Sequence, residues 1–279
     1  VMPYQAGLAP SAETALDFPG SFASDGFGIT QQIAIKIPGG VTLTDLVQPF
    51  ANDVSLTTDI DRSATKTHGT LLLDTVTGQF VPHFADLDTL PPEPKDHLFM
   101  LRPAVRLEPG RRYVVALHGL KSPQGSLIVP PKTFADLRDA EGGAGTGQGR
   151  QMYWNTNIFA PLQAAGVARQ SLQLAWDFTV QSKNSAMGDM LAVRDQALAV
   201  FAAAPPAVTI LSVTEDPDQY IARRVEGELT VPLYMQAPEA GTFLKRDATG
   251  KPVQNGTAQV PFTLLIPPSV WSGKVAAPA

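Results

Sequence analysis

Alternation of apolar and polar residues at a period of two dominates the first half of the chain. Ile33, Ile35 and Ile37 occupy every second position, as they would on one face of a β-strand. Further short strands are predicted at 53–58, 70–74, 79–84, 97–101 and 113–117, and a later alternating segment covers 171–180. Turn residues such as Pro109-Gly110 separate them, and Thr75-Val76-Thr77-Gly78 predicts a hairpin between 70–74 and 79–84. This spacing predicts a β-sandwich.

The apolar period changes to that of a helix after Pro131. Residues 132–140 and 157–165 are predicted helices, and a glycine-rich loop at 142–149 lies between them. A longer helix is predicted over 186–203, because five apolar residues share one stripe before Pro205-Pro206 ends the pattern: Met187, Met190, Leu191, Leu198 and Phe201.

The last quarter of the chain returns to strands, predicted at 208–213, 225–235 and 258–266. We therefore expect a mainly β chain with helical insertions. A β-sandwich would occupy residues 1–183, with its strands from about residue 18 and a helical insertion at about 131–168. A linker helix would follow at 184–204, and then a β-rich segment at 205–279.

Composition excludes several classes of function. The 279 residues include no cysteine, which rules out disulfides, thiolate catalysis and cysteine-ligated zinc. The net charge is −5 without a dense basic cluster, so nucleic acid is a poor partner, and no apolar run reaches the length of a membrane-spanning helix. A cysteine-free, proline-rich and weakly acidic chain favours an exported protein, secreted or at the cell surface.

No motif in the sequence assigns a catalytic, cofactor-binding or metal-binding residue. The chain contains neither Gly-x-Ser-x-Gly nor His-Glu-x-x-His. Four histidines (His68, His83, His97 and His118) could each pair with Asp86, Asp88 or Asp96, but structural roles are favoured for all of them. The loop at 142–149 lacks the Lys-Ser/Thr of a phosphate-binding loop, since Arg150-Gln151 follows it.

Three further features have an ordinary interpretation beside a functional one. The acidic turns at 59–61 and 215–218 could hold a cation, but solvated turns are favoured. Asn255-Gly256-Thr257 fits a glycosylation sequon, although a turn explains it equally well. Trp154, Trp176 and Trp271 are scattered along the chain, which favours packing roles over a stacking platform.

Several segments, in the same order, resemble a known arrangement. Residues 98–103 (LFMLRP) and 107–115 (LEPGRRYVV) resemble the Ig-like module at the front of certain large secreted bacterial lipases and esterases. Residues 172–179 (LQLAWDFT) and 190–195 (MLAVRD) are similar to the stretch that closes that module. Residues 224–232 and 255–267 resemble the strands that lead into the α/β-hydrolase domain. The similarity extends over about residues 90–268.

The resemblance implies the non-catalytic N-terminal portion of an exported ester hydrolase, which positions the catalytic part or its substrate. In that family the serine elbow and its acid and histidine partners follow the matched region, so no catalytic residue is carried over. His118-Gly119-Leu120 echoes an oxyanion-loop sequence but belongs to the Ig-like part, and that role is not transferred to it.

The C-terminal strands would then need a second polypeptide to complete their sheet, either the downstream catalytic part or a neighbouring copy. The alternative function is a structural or adhesive extracellular β-protein, such as a filament or surface-layer subunit, whose open edge accepts a neighbour's strand.

Overall fold

The computed structural model describes residues 24–49, 59–140 and 148–272. The strand predicted at 53–58 and most of the glycine-rich loop at 142–149 lie outside these ranges. The chain divides into two compact units, unit 1 over Val1–Ala186 and unit 2 over Met187–Ala279.

The described residues are mostly β, with three small antiparallel sheets and a few helices, which confirms the mainly β prediction. The nine strands are β1 (Ile33–Lys36), β2 (Thr70–Asp74), β3 (His83–Asp88), β4 (Leu98–Pro103), β5 (Arg112–His118), β6 (Leu172–Thr179), β7 (Val208–Asp218), β8 (Ile221–Pro232) and β9 (Thr257–Ile266). The five α-helices are α1 (Lys132–Asp139), α2 (Gln148–Trp154), α3 (Ala160–Ala164), α4 (Lys183–Ala203) and α5 (Pro268–Trp271). A π-helical turn, Asn155–Phe159, joins α2 to α3, and 3₁₀ turns cover Ile60–Ala64, Pro94–Asp96 and Arg169–Ser171.

Two three-stranded sheets of unit 1 share one apolar core. Their strand orders are β1-β4-β3 and β2-β5-β6. Phe99 and Leu101 of β4 meet Leu72, Tyr113 and Val115 of the other sheet in this core. The alternation in each strand produces this arrangement, because every second residue points to the same face.

The second face of the β2-β5-β6 sheet is also buried. Leu71, Leu73 and Val114 pack there against residues of the helical segment that follows β5. The helical residues in this second core are Phe134, Ile158, Phe159 and Leu162. All five residues of β2 (TLLLD) are therefore buried. Because both of its faces pack against a core, its three leucines are consecutive and do not alternate with polar residues.

The predicted turn after β2 forms, but the following strand leaves the sheet. Gly78 adopts a positive φ of 68°, and Val81 N–H still donates to Leu72 O at 2.7 Å. From His83 onward the chain pairs with β4 in the other sheet instead. The strand predicted at 79–84 is therefore shifted to 83–88, and the turn connects two sheets rather than two neighbouring strands.

A short N-terminal segment adds to the edge of β6. Phe27 N–H donates to Thr179 O at 2.9 Å, and Gln181 N–H donates to Phe27 O at 2.8 Å. Gly26 makes this approach possible, since a Cβ atom there would lie 2.5 Å from the Gln181 nitrogen. The segment can pair only because that side chain is absent.

Unit 2 contains the third sheet, with strand order β7-β8-β9, and most of α4. None of the 21 residues of α4 is buried, and Met190 and Leu198 of the predicted apolar stripe are 72% and 59% exposed. Polar contacts connect α4 to the β8–β9 connection: Gln196 donates to Pro252 O at 2.9 Å, and Asp189 pairs with Arg246 at 2.5 Å. The stripe is present in the sequence, but it is not a core face.

We predict that Gly26→Ala lowers the thermal stability of the chain. The new Cβ must displace backbone, so the expected loss is about 1–3 kcal/mol in the free energy of unfolding. Gly28→Ala is the matched control, because its Cβ would meet nothing closer than 3.7 Å. Thermal unfolding followed by circular dichroism measures both variants, and equal melting temperatures would contradict the close-approach argument.

Candidate interaction surface

The sheet of unit 2 has one apolar and one polar face, and the pairing register defines both. Val213 and Leu264 both lie opposite Val225 of the central strand, so the three side chains share one face. The extra residue Leu211 forms a bulge in β7, and the register shifts there. Because of this bulge, Val208 and Val213 lie on the same face although their spacing is odd.

We call this side the apolar sheet face. Its apolar members are Val208, Ile210, Val213, Val225, Leu229, Val231, Ala258, Val260, Phe262, Leu264 and Ile266. Exposure on its two outer strands is large: Val208 is 55% exposed, Ile210 52% and Leu264 51%. Contiguous apolar surface of this kind marks an interaction site in soluble proteins.

The opposite side of the sheet carries polar groups that bond to one another. Ser212 donates to Glu226 Oε2 at 2.9 Å, and Arg224 forms an ion pair with the same carboxylate. Thr230 donates to Gln259 Oε1 at 3.1 Å. These contacts give the polar face partners within the sheet itself, so the unmatched surface is the apolar face.

One end of the apolar sheet face is closed by a charged and aromatic cluster. The Arg223 guanidinium stacks over the ring of Trp271 in α5 at 3.9 Å and pairs with Glu215 at 2.5 Å. In the middle of the face, the Phe262 ring lies across Gly227, where a Cβ would come within 2.8 Å of the ring. The cluster thus marks where the apolar surface ends.

Side chains of the acidic turn at 215–218 and of the sequon have other partners. Glu215 pairs with Arg223, and Asp218 accepts hydrogen bonds from the backbone of Tyr220 and Ile221 at the β7–β8 turn. Asn255 donates to the carbonyls of Met235 and Gln236. Across residues 24–49, 59–140 and 148–272, no three His, Asp or Glu side chains are grouped to hold a metal ion.

The three tryptophans lie in separate places. Trp154 packs in the helical layer against Phe134 and Phe159, with ring centroids 5.8 Å apart in each pair. Trp176 packs against the core between the two sheets of unit 1, and Trp271 covers Arg223 in unit 2.

The three aspartates considered as histidine partners are bound elsewhere. Asp86 pairs with Arg102 at 2.8 Å, and Asp96 pairs with Lys36 at 2.9 Å. Asp88 accepts from the Leu90 N–H. His97 Nε2 lies 2.9 Å from the Pro91 carbonyl, to which it donates.

Two other histidines form a buried hydrogen-bonded chain that the sequence did not indicate. Val47 N–H donates to His68 Nε2 at 3.1 Å, and His68 Nδ1 lies 2.9 Å from Thr70 O. The Thr70 hydroxyl lies 2.8 Å from His83 Nε2, and His83 Nδ1 lies 2.8 Å from Val81 O. Burial lowers the pKa of His68 and lowers that of His83 to about 4.

His118 is the last residue of β5 and lines a cavity of about 220 Å³. Its Nε2 is buried without a hydrogen-bond partner. Burial lowers the pKa of His118, and a hydrogen bond to the His68 backbone opposes this effect. The cavity is lined by loop residues, among them Thr42, Asp45 and Lys121.

The comparisons with known proteins found no relatives. No family model matches the chain, and neither a curated protein nor a solved structure is significantly similar to it. Among the described helices, none combines the length and the apolar character required to cross a bilayer.

We predict that the apolar sheet face binds an apolar fluorescent dye. The double variant Val213→Ser/Leu264→Ser should lower the dye fluorescence by about half or more, because it removes one exposed apolar side chain from each outer strand of the face. Thr214→Ser/Thr263→Ser changes neighbouring positions on the polar face and should leave the signal unchanged. An equal loss in both double variants would show that the dye binds elsewhere.

Proposed function

We propose that the chain is the non-catalytic front portion of an exported α/β-hydrolase-type ester hydrolase, in which unit 1 is an Ig-like module and the sheet of unit 2 docks the catalytic part. The exposed apolar sheet face carries this proposal. It supports a role that needs a second polypeptide, and the sequence resemblance supports the identity of that polypeptide.

The energetics favour a permanent rather than an occasional partner. Covering a valine or leucine side chain contributes roughly 1.5–3 kcal/mol, and several such side chains on β7 and β9 are about half exposed. A covering layer would gain a large part of the stability of a typical domain. Obligate interfaces have this apolar character, whereas transient ones are closer in composition to the rest of a protein surface.

The residues of this chain would position the catalytic part and would not take part in the reaction itself. In the complete enzyme, a serine of the catalytic part would take up the acyl group, with a histidine as base and backbone N–H groups stabilising the oxyanion. The front portion would hold the first strands of the catalytic sheet in register through β8 and β9. The polar face, already internally bonded, would remain accessible.

The proposal predicts ester hydrolysis only in the presence of the catalytic polypeptide. The coding sequence downstream of Ala279 should encode a Gly-x-Ser-x-Gly motif, and its product should hydrolyse short p-nitrophenyl esters when produced with this chain. The chain alone should be inactive. A stop codon at that point, with ordered polymers of the purified chain in electron microscopy, would instead support the structural or adhesive alternative.

A pair of charge variants tests the docking face itself. Leu264→Asp places a carboxylate on the apolar sheet face and should weaken binding of the catalytic polypeptide by about 30-fold or more, since burying an unpaired charge costs at least ~2 kcal/mol. Thr263→Asp, one residue earlier on the polar face, should bind as the unmodified chain does. Binding measured by calorimetry distinguishes the two, and equal affinities would contradict docking on this face.

A further inference from the structure

The backbone N–H and carbonyl of Val47, in unit 1, both form hydrogen bonds. Val47 is fully buried; its N–H donates to His68 Nε2 at 3.1 Å, and its carbonyl accepts from the Ala85 N–H of β3 at 2.8 Å. Leu46 beside it is only 3% exposed. The segment containing these residues therefore depends on His68 for one of its two attachments at Val47.

The hydrogen bonds define the protonation state of His68. Each ring nitrogen of His68 faces a backbone N–H: the Val47 nitrogen lies 3.1 Å from Nε2 and the Thr70 nitrogen 3.4 Å from Nδ1, and a neutral ring can accept only one of the two. The shorter contact places the lone pair on Nε2, so the proton lies on Nδ1, which donates to Thr70 O at 2.9 Å. A second proton can be added only at Nε2. There it would point at the Val47 N–H, and two donors would face each other without an acceptor.

His83 also has a fixed protonation state, and its hydrogen bond to Thr70 connects the two sheets of unit 1. His83 Nδ1 donates to Val81 O, so its Nε2 is the acceptor of the Thr70 hydroxyl. Thr70 belongs to β2 and His83 to β3, so the hydroxyl connects the two sheets. The two rings are 5.7 Å apart between centroids, and a charge on one disfavours a charge on the other.

Burial opposes the protonation of His68, and the positive charges of Arg62, in the Ile60–Ala64 turn, and of His118, in β5, also oppose it. The hydrogen bond to the Thr70 backbone favours the protonated ring, but the combined effect lowers the pKa of His68. His83 of β3 lies beside His68. The site therefore favours the neutral, hydrogen-bonded form.

We propose that His68 is an acid-sensitive latch: a proton taken up at Nε2 breaks its hydrogen bond to Val47 and releases the segment around Leu46 and Val47 from unit 1. The device lies in unit 1 and does not depend on the proposed ester hydrolase function. Release would expose two buried apolar residues beside β3 and leave the β2-β5-β6 ladder paired.

The sign and range of the pH dependence follow from the histidine pKa values. Burial lowers the pKa of His68 below its ordinary value of 6.5, and lowers that of His83 to about 4. The released state binds the proton more tightly, so the latch is fully closed above about pH 6.5 and opens progressively as the pH falls below that value. Asp74, Asp96 and Asp139 have pKa values below their ordinary 3.8 and titrate beneath this range.

Hydrogen exchange measured by mass spectrometry on the full chain tests the latch. After correction for the intrinsic exchange rate at each pH, the backbone amides of residues 46–49 should lose protection by up to tenfold per pH unit below 6.5. The amides of Val114 and Ala116 in β5 should keep theirs. Equal protection of residues 46–49 at pH 7 and pH 4.5 would overturn the proposal.

Two variants test whether His68 causes the pH dependence of hydrogen exchange. His68→Gln cannot titrate, so the exchange of residues 46–49 should become independent of pH between 6.5 and 4. His97→Gln removes a half-buried histidine outside the chain of hydrogen bonds and should behave as the unmodified protein. A pH dependence that survives in His68→Gln would rule out His68 as the latch.

A measurement on the unmodified protein covers the case in which His68→Gln does not fold. Nitrogen chemical shifts of the His68 ring should show the Nδ1–H form at pH 7 and titrate together with the loss of the Val47 amide signal. A doubly protonated His68 ring beside an unchanged Val47 amide would also overturn the proposal.

Discussion

Burial of a sheet on both of its faces is the constraint on which unit 1 depends. The β2-β5-β6 sheet packs against the β1-β4-β3 sheet through Leu72 and Val115, and against the helical layer through Leu71 and Val114. One strand therefore supplies alternate residues to two cores. Two layers can pack against this sheet, one on each face, because β2 and β5 carry apolar residues at consecutive positions.

In residues 187–272 the apolar sheet face is only partly covered: its outer-strand side chains are about half exposed, while the side chains of the central strand are half-buried. Apart from the bulge at Leu211 the strands alternate, so most of their apolar side chains lie on this face. The polar side satisfies its own hydrogen bonds through Ser212, Glu226 and Thr230. Under the proposed function, the polypeptide that covers the apolar sheet face would also stabilise unit 2.

The buried histidines show how polar groups can be placed in such a core. His68 and His83 are satisfied through Thr70 and backbone carbonyls, and this fixes each ring in one neutral form. Such a network is stable only while every member keeps its donor or acceptor role. Because each group has a fixed donor or acceptor role, we expect one added proton to disrupt the chain of hydrogen bonds.

Local pattern in the sequence is enough to locate most of the strands. The strand at 70–74 was predicted as one arm of a hairpin, from the turn that follows it, and the helix that begins at Lys132 was predicted from its apolar period. The strand at 258–266 was also predicted, and β9 covers Thr257–Ile266. These properties require no knowledge of what lies opposite.

Which strands pair, and which elements pack together, is seen only in the tertiary structure. Nothing local shows that β3 leaves its predicted hairpin partner to pair with β4, or that Thr70 brings His68 and His83 together. The bulge at Leu211, which brings Val208 and Val213 to one face, is equally invisible in the pattern. A period tells which side of an element is apolar, whereas strand order and register depend on contacts between residues far apart in the chain.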